Sequence, residues 1–151
     1  MISILFGTES GNSEMAAEDM ANHIQNIGYD AQVIPMEDYD LNSLSDEEFM
    51  IVITSTYGEG ELPETTAPFH DALVATKPDL SGLSFAAFGL GDSAYENFAN
   101  AIDTLTATLK SLGAIQKGTT GKHDAARGIS LSDASINWVD EILKVYSCKA
   151  A

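Results

Sequence analysis

Cysteine occurs once, at Cys148, which excludes an internal disulfide, a multi-cysteine cluster and a cysteine-built zinc site and suits a reducing compartment. That lone thiol reads as an inert residue near the C-terminus. No apolar run reaches membrane-spanning length, and only Ile2 to Phe6 separate Met1 from the first polar loop, which leaves no room for a basic, apolar leader. A soluble, cytoplasmic protein that engages no membrane is expected. Lysine and arginine are scarce too, seven against 23 Asp and Glu, for a formal net charge of −16 at pH 7. Such a field repels nucleic acid and attracts basic partners. No Lys or Arg precedes Lys77, although Glu9, Glu14, Glu18 and Asp19 do. Internal repeats, low-complexity tracts and linkers are absent as well. With 151 residues, 44% of them apolar, the expectation is a single domain spanning 1–151 around one sizeable core, acting as a monomer.

What is present is an alternation of short apolar runs with longer amphipathic stretches. That is the pattern of an α/β fold with a doubly wound parallel sheet and helices on both faces. Five strands are expected at Ile2 to Phe6, Ala31 to Ile34, Phe49 to Thr54, Ser84 to Gly89 and, more weakly, Ala114 to Gln116. Asn12 to Ile27 puts Ala16, Met20, Ile24 and Ile27 on one helical face, and Gly28 supplies a stop. Phe98, Ile102, Leu105, Leu109 and Leu112 repeat the pattern and are closed by Gly113. A shorter helix starts near Thr66 with Pro68 in its first turn, and a last one buries Ile136, Val139, Ile142, Leu143 and Tyr146. Trp138 is a packing residue of that last helix, and Gly118 to Gly128 reads as an exposed loop.

A doubly wound sheet binds ligands beyond the carboxyl ends of its strands, so the loops after the first, third and fourth strands are where chemistry belongs. The first, Gly7-Thr8-Glu9-Ser10-Gly11-Asn12-Ser13, runs straight into a helix N-terminus. Free backbone N–H groups and the positive end of the helix dipole can hold a phosphate there, helped by the hydroxyls of Thr8, Ser10 and Ser13. Ordinary turns and caps use the same residue types. The second, Ser55-Thr56-Tyr57-Gly58-Glu59-Gly60-Glu61-Leu62-Pro63, sets an aromatic face beside two glycines that let backbone approach a flat ligand. The third, Gly89-Leu90-Gly91-Asp92-Ser93-Ala94-Tyr95-Glu96-Asn97-Phe98, repeats that design with Tyr95.

Several alternatives fail on chemistry. The first loop lacks the lysine of a P-loop. Gly89 to Ala94 fits G-x-G-x-x-[GA], but no acidic residue follows about twenty positions on to bind a ribose. A phospho-receiver needs an acidic pair after the first strand and an Asp after the third, where this chain has Gly7-Thr8-Glu9 and Thr54-Ser55-Thr56. A cysteine phosphatase needs its cysteine in the first loop. No metal site is expected: Asp46-Glu47-Glu48 is a solvated turn before a strand, and His23, His70 and His123 are scattered surface residues.

Together, T-x-S-G-N-S, S-T-Y-G-E-G-E-L-P and F-G-L-G-D-S-A-Y-E-N-F, in that order and across nearly the whole chain, resemble the flavodoxins and the FMN domains of diflavin reductases. Flavodoxins are an example of strand order 2-1-3-4-5, with FMN at the switch point between the first and third strands. The short fifth-strand region makes the chain similar to the short-chain, MioC-like group. The resemblance implies that Thr8, Glu9, Ser10, Gly11, Asn12 and Ser13 hold the FMN phosphate, with Glu9, Gly11 and Asn12 acting through backbone N–H groups. It puts Tyr57 on one face of the flavin ring and Tyr95 on the other, with Thr56, Gly58, Glu59 and the backbone from Leu90 through Gly91 to Asp92 along the polar edge. Ser55, Gly60, Asn97 and Phe98 complete the implied cofactor set. Tyr57 stands where many family members have Trp, and Asn12 where Thr is frequent. No site residue is assigned after Ala114.

The resemblance implies a low-potential electron carrier rather than an enzyme. Its donor would be a flavoprotein reductase of the ferredoxin-NADP type; the redox acceptor protein stays open. The rival is an FMN-dependent quinone or nitro reductase, which needs an open pocket over the ring and a nicotinamide dock. Two covering tyrosines and an acidic surface argue against it. Glu59, Glu61, Glu64, Asp92 and Glu96 crowd these loops without a Lys or Arg, so an anionic hydroquinone is disfavoured. A neutral semiquinone, protonated at N5 and accepted by the Gly58 carbonyl after a peptide flip, escapes that penalty.

Overall fold

The computed structural model describes residues 2–7, 12–47, 49–55, 66–91, 100–124 and 130–150. Along them run β1 (Ile2–Gly7), α1 (Asn12–Ile27), β2 (Ala31–Pro35), 3-10 turns at Met36–Asp38 and Leu41–Asp46, β3 (Phe49–Ser55) and α2 (Ala67–Thr76). β4 (Ser84–Gly91), α3 (Asn100–Ser111), β5 (Ile115–Gln116), β6 (Gly121–Asp124) and α4 (Leu131–Ala150) follow. Every strand pairing is parallel, and the order is β2-β1-β3-β4-β5 with β6 also on β4. This is the expected doubly wound α/β sheet.

The central strands β1, β3 and β4 are buried on both faces, and their period of two sorts side chains between two cores. Ile2, Ile4 and Phe6 of β1, Phe49, Ile51 and Ile53 of β3, and Ala86, Phe88 and Leu90 of β4 pack under α1 and α4. Leu5, Met50, Val52, Phe85 and Ala87 point the other way, toward α2, α3 and the 3-10 turns.

The fifth position of the sheet is filled in two pieces. β5 pairs with Ser84 and Phe85 at the start of β4, and β6 pairs with Phe88 to Gly91 at its end. Residues 117–120 step between them, with Gly118 at φ 74°. Part of the expected loop from Gly118 to Gly128 is therefore strand. Gly-Lys-His-Asp carries no apolar alternation; β6 forms because β4 offers it unpaired backbone and because Trp138 covers it. The Trp138 ring lies 5.2 Å from that of Phe88, and its Nε1–H donates to the Thr119 carbonyl at 3.2 Å.

Helix α1 buries Ala16, Ala17, Met20, Ala21 and Ile24, but Ile27 is 47% exposed. The helix closes one residue later: Gly28 takes φ 114°, its N–H bonds the Gln25 carbonyl, and that of Tyr29 returns to Ile24. Gly113, at φ 105°, closes α3 in the same way. Helix α4 buries Val139, Ile142 and Leu143 as expected, together with Ser135, while Ile136 is half-buried and the Tyr146 side chain lies outside the described residues. It packs along α1, where Ser132 Oγ donates to Asp19 at 2.6 Å and His23 meets Asp140 at 3.4 Å.

The histidines are less exposed than expected. His23, His70 and His123 are all half-buried, and His70 Nε2 lies 2.8 Å from Thr108 Oγ1 between α2 and α3. Glu47 accepts hydrogen bonds from Ser3 and Tyr39, tying the acidic turn to the amino ends of the strands. Among the described residues no cluster of His, Cys, Asp and Glu could hold a metal, and no helix is long and apolar enough to cross a membrane.

Candidate functional site

In the order β2-β1-β3 the chain turns one way from β1 to reach β2 and the other way to reach β3, which opens a crevice beyond their carboxyl ends. Gly7, Ser55, Gly91 and Asp124 end β1, β3, β4 and β6 on this rim, and Asn12 and Ser13 begin α1 beside it. Of the expected cofactor residues, Asn12, Ser13, Ser55, Leu90 and Gly91 thus share one edge. Thr8, Glu9, Ser10, Gly11, Thr56, Tyr57, Gly58, Glu59, Gly60, Asp92, Tyr95, Asn97 and Phe98 lie outside the described residues. So do Glu61, Glu64 and Glu96.

Of the first loop's hydroxyl residues, Ser13 is the one among the described residues. Its side chain is completely buried, yet its hydroxyl finds no hydrogen-bond partner among the described residues. Leaving a buried hydroxyl unpaired costs about 1–3 kcal/mol. Thr106 and Ser135 share that condition, but they sit inside α3 and α4, a turn or more past the helix start. Ser13 lies in the first turn of α1, where backbone N–H groups are still free and the dipole is positive. An anion's oxygen there would satisfy hydroxyl and amides together, so a phosphate group fits.

The floor of the rim is crowded. A Cβ on Gly7 would stand 1.7 Å from Thr66 Oγ1, and one on Gly89 would stand 2.3 Å from Ile102 Cγ2. Thr66 Oγ1 lies 2.8 Å from Thr54 Oγ1 in a fully buried contact, and Thr54 donates onward to the Ser55 carbonyl at 3.0 Å. Ser55 in turn stands opposite Leu90 in the register of β3 and β4. The Leu90 side chain is in the core, 5% exposed, so only its backbone can face a ligand.

Thr54, Thr66 and Asp124 were not foreseen at the rim. Asp124 is buried at the end of β6 and stands opposite Gly91, so the strand hidden in the supposed loop adds a carboxylate to the same edge. The sequence signal available for it is weak, an acid three residues after a glycine. Asp79, whose pKa is lowered by hydrogen bonds from Ser81, lies before the amino end of β4 and away from the rim.

Comparison with known proteins points to the same fold. The family model described as Flavodoxin matches residues 4–138. Protein MioC of Escherichia coli O157:H7 is 38% identical over 123 residues, 80% of this chain and 81% of that protein. The sulfite reductase (NADPH) flavoprotein alpha-component of Mannheimia succiniciproducens is 29% identical over 151 residues, 99% of this chain and 25% of that protein. Oxidised Flavodoxin 2 from Bacillus cereus superposes with a TM-score of 0.84 at 28% identity, covering 95% of this chain and 97% of that one. A family match across the sheet, α1 and the start of α4 establishes that the chain belongs to the flavodoxin family.

Proposed function

We propose that this chain is a single FMN-binding domain, 1–151, that carries electrons between redox proteins in the cytoplasm as a monomer and performs no substrate chemistry of its own. The observation that carries this is the buried, unpartnered hydroxyl of Ser13 in the first turn of α1, at the β1/β3 crevice. Thr8, Ser10 and Ser13 hold the phosphate with their hydroxyls, and Glu9, Gly11 and Asn12 with their backbone N–H groups. Tyr57 and Tyr95 cover the two ring faces, excluding water and small substrates. Ser55, Thr56, Gly58, Glu59 and Gly60 line the polar edge from one side, and Leu90, Gly91, Asp92, Asn97 and Phe98 from the other.

FMN, when bound, supplies the uptake and release of single electrons. The chain controls that chemistry by charge: Glu59, Glu61, Glu64, Asp92 and Glu96, joined by Asp124, oppose the build-up of negative charge on the ring. The donor is a flavoprotein reductase of the ferredoxin/flavodoxin-NADP type, and the acceptor is a second redox protein. The relation to the flavoprotein component of sulfite reductase supports a place beside such a reductase. Nucleic acid and membranes are not partners.

Purified protein should be yellow, with one FMN per chain, and should bind FAD far more weakly because the loop accommodates a terminal phosphate. Ser13→Ala should weaken FMN binding about tenfold or more, the worth of a hydrogen bond to a charged group. Absorbance, cofactor extraction and fluorescence titration check this. A colourless protein that takes up no added FMN refutes the assignment, and turnover of NADPH with a quinone without added reductase would make it an enzyme instead.

A further inference from the structure

Thr66 occupies the position before α2 where a threonine hydroxyl ordinarily caps the helix by accepting a backbone N–H, yet it makes no such bond. Its side chain is completely buried and turns the other way, to Thr54 Oγ1 at 2.8 Å. The Thr54 proton is already committed to the Ser55 carbonyl at 3.0 Å, and a hydroxyl has only one. Thr66 is therefore the donor. The relay runs from the Thr66 hydroxyl to that of Thr54 and on to the carbonyl of Ser55, the last described residue before segment 56–65. Thr66 is the first described residue after it. On its other side the Thr66 side chain fills the space at Gly7, where a Cβ would stand 1.7 Å from Oγ1, 2.8 Å from Cβ and 3.1 Å from Cα. Gly7 is the last described residue before segment 8–11. One side chain thus touches the strand end from which the phosphate segment leaves and ties together both ends of the segment that carries Tyr57.

We propose that Thr66 is a positioning residue that fixes the spacing between the phosphate segment and the ring segment, acting through Thr54 and against Gly7. This rests on the FMN-binding assignment above. The hydroxyl thus serves the relay rather than the start of α2, where Pro68 offers no N–H to cap. The chemical consequence is specific. Only a ligand that spans both segments depends on their spacing; a ligand held by one segment does not.

The test uses full-length apoprotein and three ligands: FMN, riboflavin, which lacks the phosphate, and inorganic phosphate, which lacks the ring. Thr66→Val keeps the shape against Gly7 and removes the donor. It should weaken FMN about fivefold to tenfold, the worth of one hydrogen bond, while riboflavin and phosphate each change less than about twofold. Thr66→Ser, which restores the hydroxyl, should return FMN affinity to within about twofold of wild type. Thr54→Val breaks the same relay from the other side and should reproduce the pattern if Thr66→Val does not fold. Equal losses for all three ligands would show general damage and overturn the proposal, as would unchanged FMN affinity in a folded valine variant or failure of serine to rescue. If wild type binds FMN and the variants behave in these ways, only the role of Thr66 falls. If wild type binds no FMN, the functional assignment falls and the proposal with it.

Discussion

Lys77 ends α2 with φ 46° and ψ 57°, a left-handed conformation in which a side chain clashes with backbone, whereas Gly28 and Gly113 meet the same need at the ends of α1 and α3. The left-handed state costs a non-glycine residue about 1–2 kcal/mol, and glycine gives part of that back through the greater freedom of its unfolded chain. Lys77→Gly should therefore raise stability by about 1 kcal/mol in urea unfolding, with FMN affinity unchanged because Lys77 is exposed at the amino end of the sheet. Glycine is also where single residues were least legible. Gly28 and Gly113 announced themselves as helix stops, because an amphipathic pattern ended on them. Gly7 and Gly89 were read as parts of ligand loops, but what forbids a side chain at each is a neighbour distant in sequence, Thr66 and Ile102. No pattern in one chain reveals such a close approach. Gly7→Ala places a methyl on a buried hydroxyl attached to a helix start, and should cost about 1–3 kcal/mol or more.

Elements with a strong period were legible and those that borrow their order from a neighbour were not. β3 and β4 carry apolar runs, and β1 one broken only by Ser3, because both faces are covered, and α1 carries its stripe from Ala16 to Ile24. β6 has neither. Gly121 lies where a Cβ would stand 2.5 Å from Trp138 Cδ1 and 2.6 Å from Phe88 Cδ2, so the strand is clamped between β4 and α4 and admits no side chain there. Trp138→Ala should remove the clamp, costing about 2–3 kcal/mol, less than a fully buried aromatic because the ring is half-exposed. Trp138→Phe keeps the ring contact and loses only the bond to Thr119, costing about 1 kcal/mol. Amide exchange at Lys122 and His123 should quicken in Trp138→Ala well before that of β3. Matching increases in both strands would mean that β6 has no separate dependence on α4.

At the scale of the whole molecule, the cations avoid the three segments expected to hold the cofactor. Lys77, Lys110 and Lys144 stand toward the amino ends of the strands, since α2 and α3 return there and α4 runs alongside α1. Lys122 is neutralised by Asp103 at 3.0 Å. Asp124 lies on the carboxyl rim, and segments 8–11, 56–65 and 92–99, which leave that rim, contain no Lys or Arg, whereas segment 125–129, which leaves β6, carries Arg127. Those three segments carry Glu9, Glu59, Glu61, Glu64, Asp92 and Glu96, and their field steers a basic partner toward the proposed cofactor edge. Salt weakens such steering because the Debye length falls from about 30 Å at 0.01 M to about 10 Å at 0.1 M. Reduction by a basic-faced reductase should slow as salt is added. Changing Glu61, Glu64 and Glu96 together to Gln removes three charges at constant size, and should lower the bimolecular rate and flatten its salt dependence while leaving FMN affinity nearly unchanged. Glu18→Gln, Asp30→Asn and Glu141→Gln remove as many charges from exposed positions off the rim; the pair of Glu141 with Lys144 is exposed and contributes little to stability. If both triple variants slow reduction equally, net charge alone governs the encounter. A loss confined to the first identifies the carboxyl rim as the face on which the partner docks.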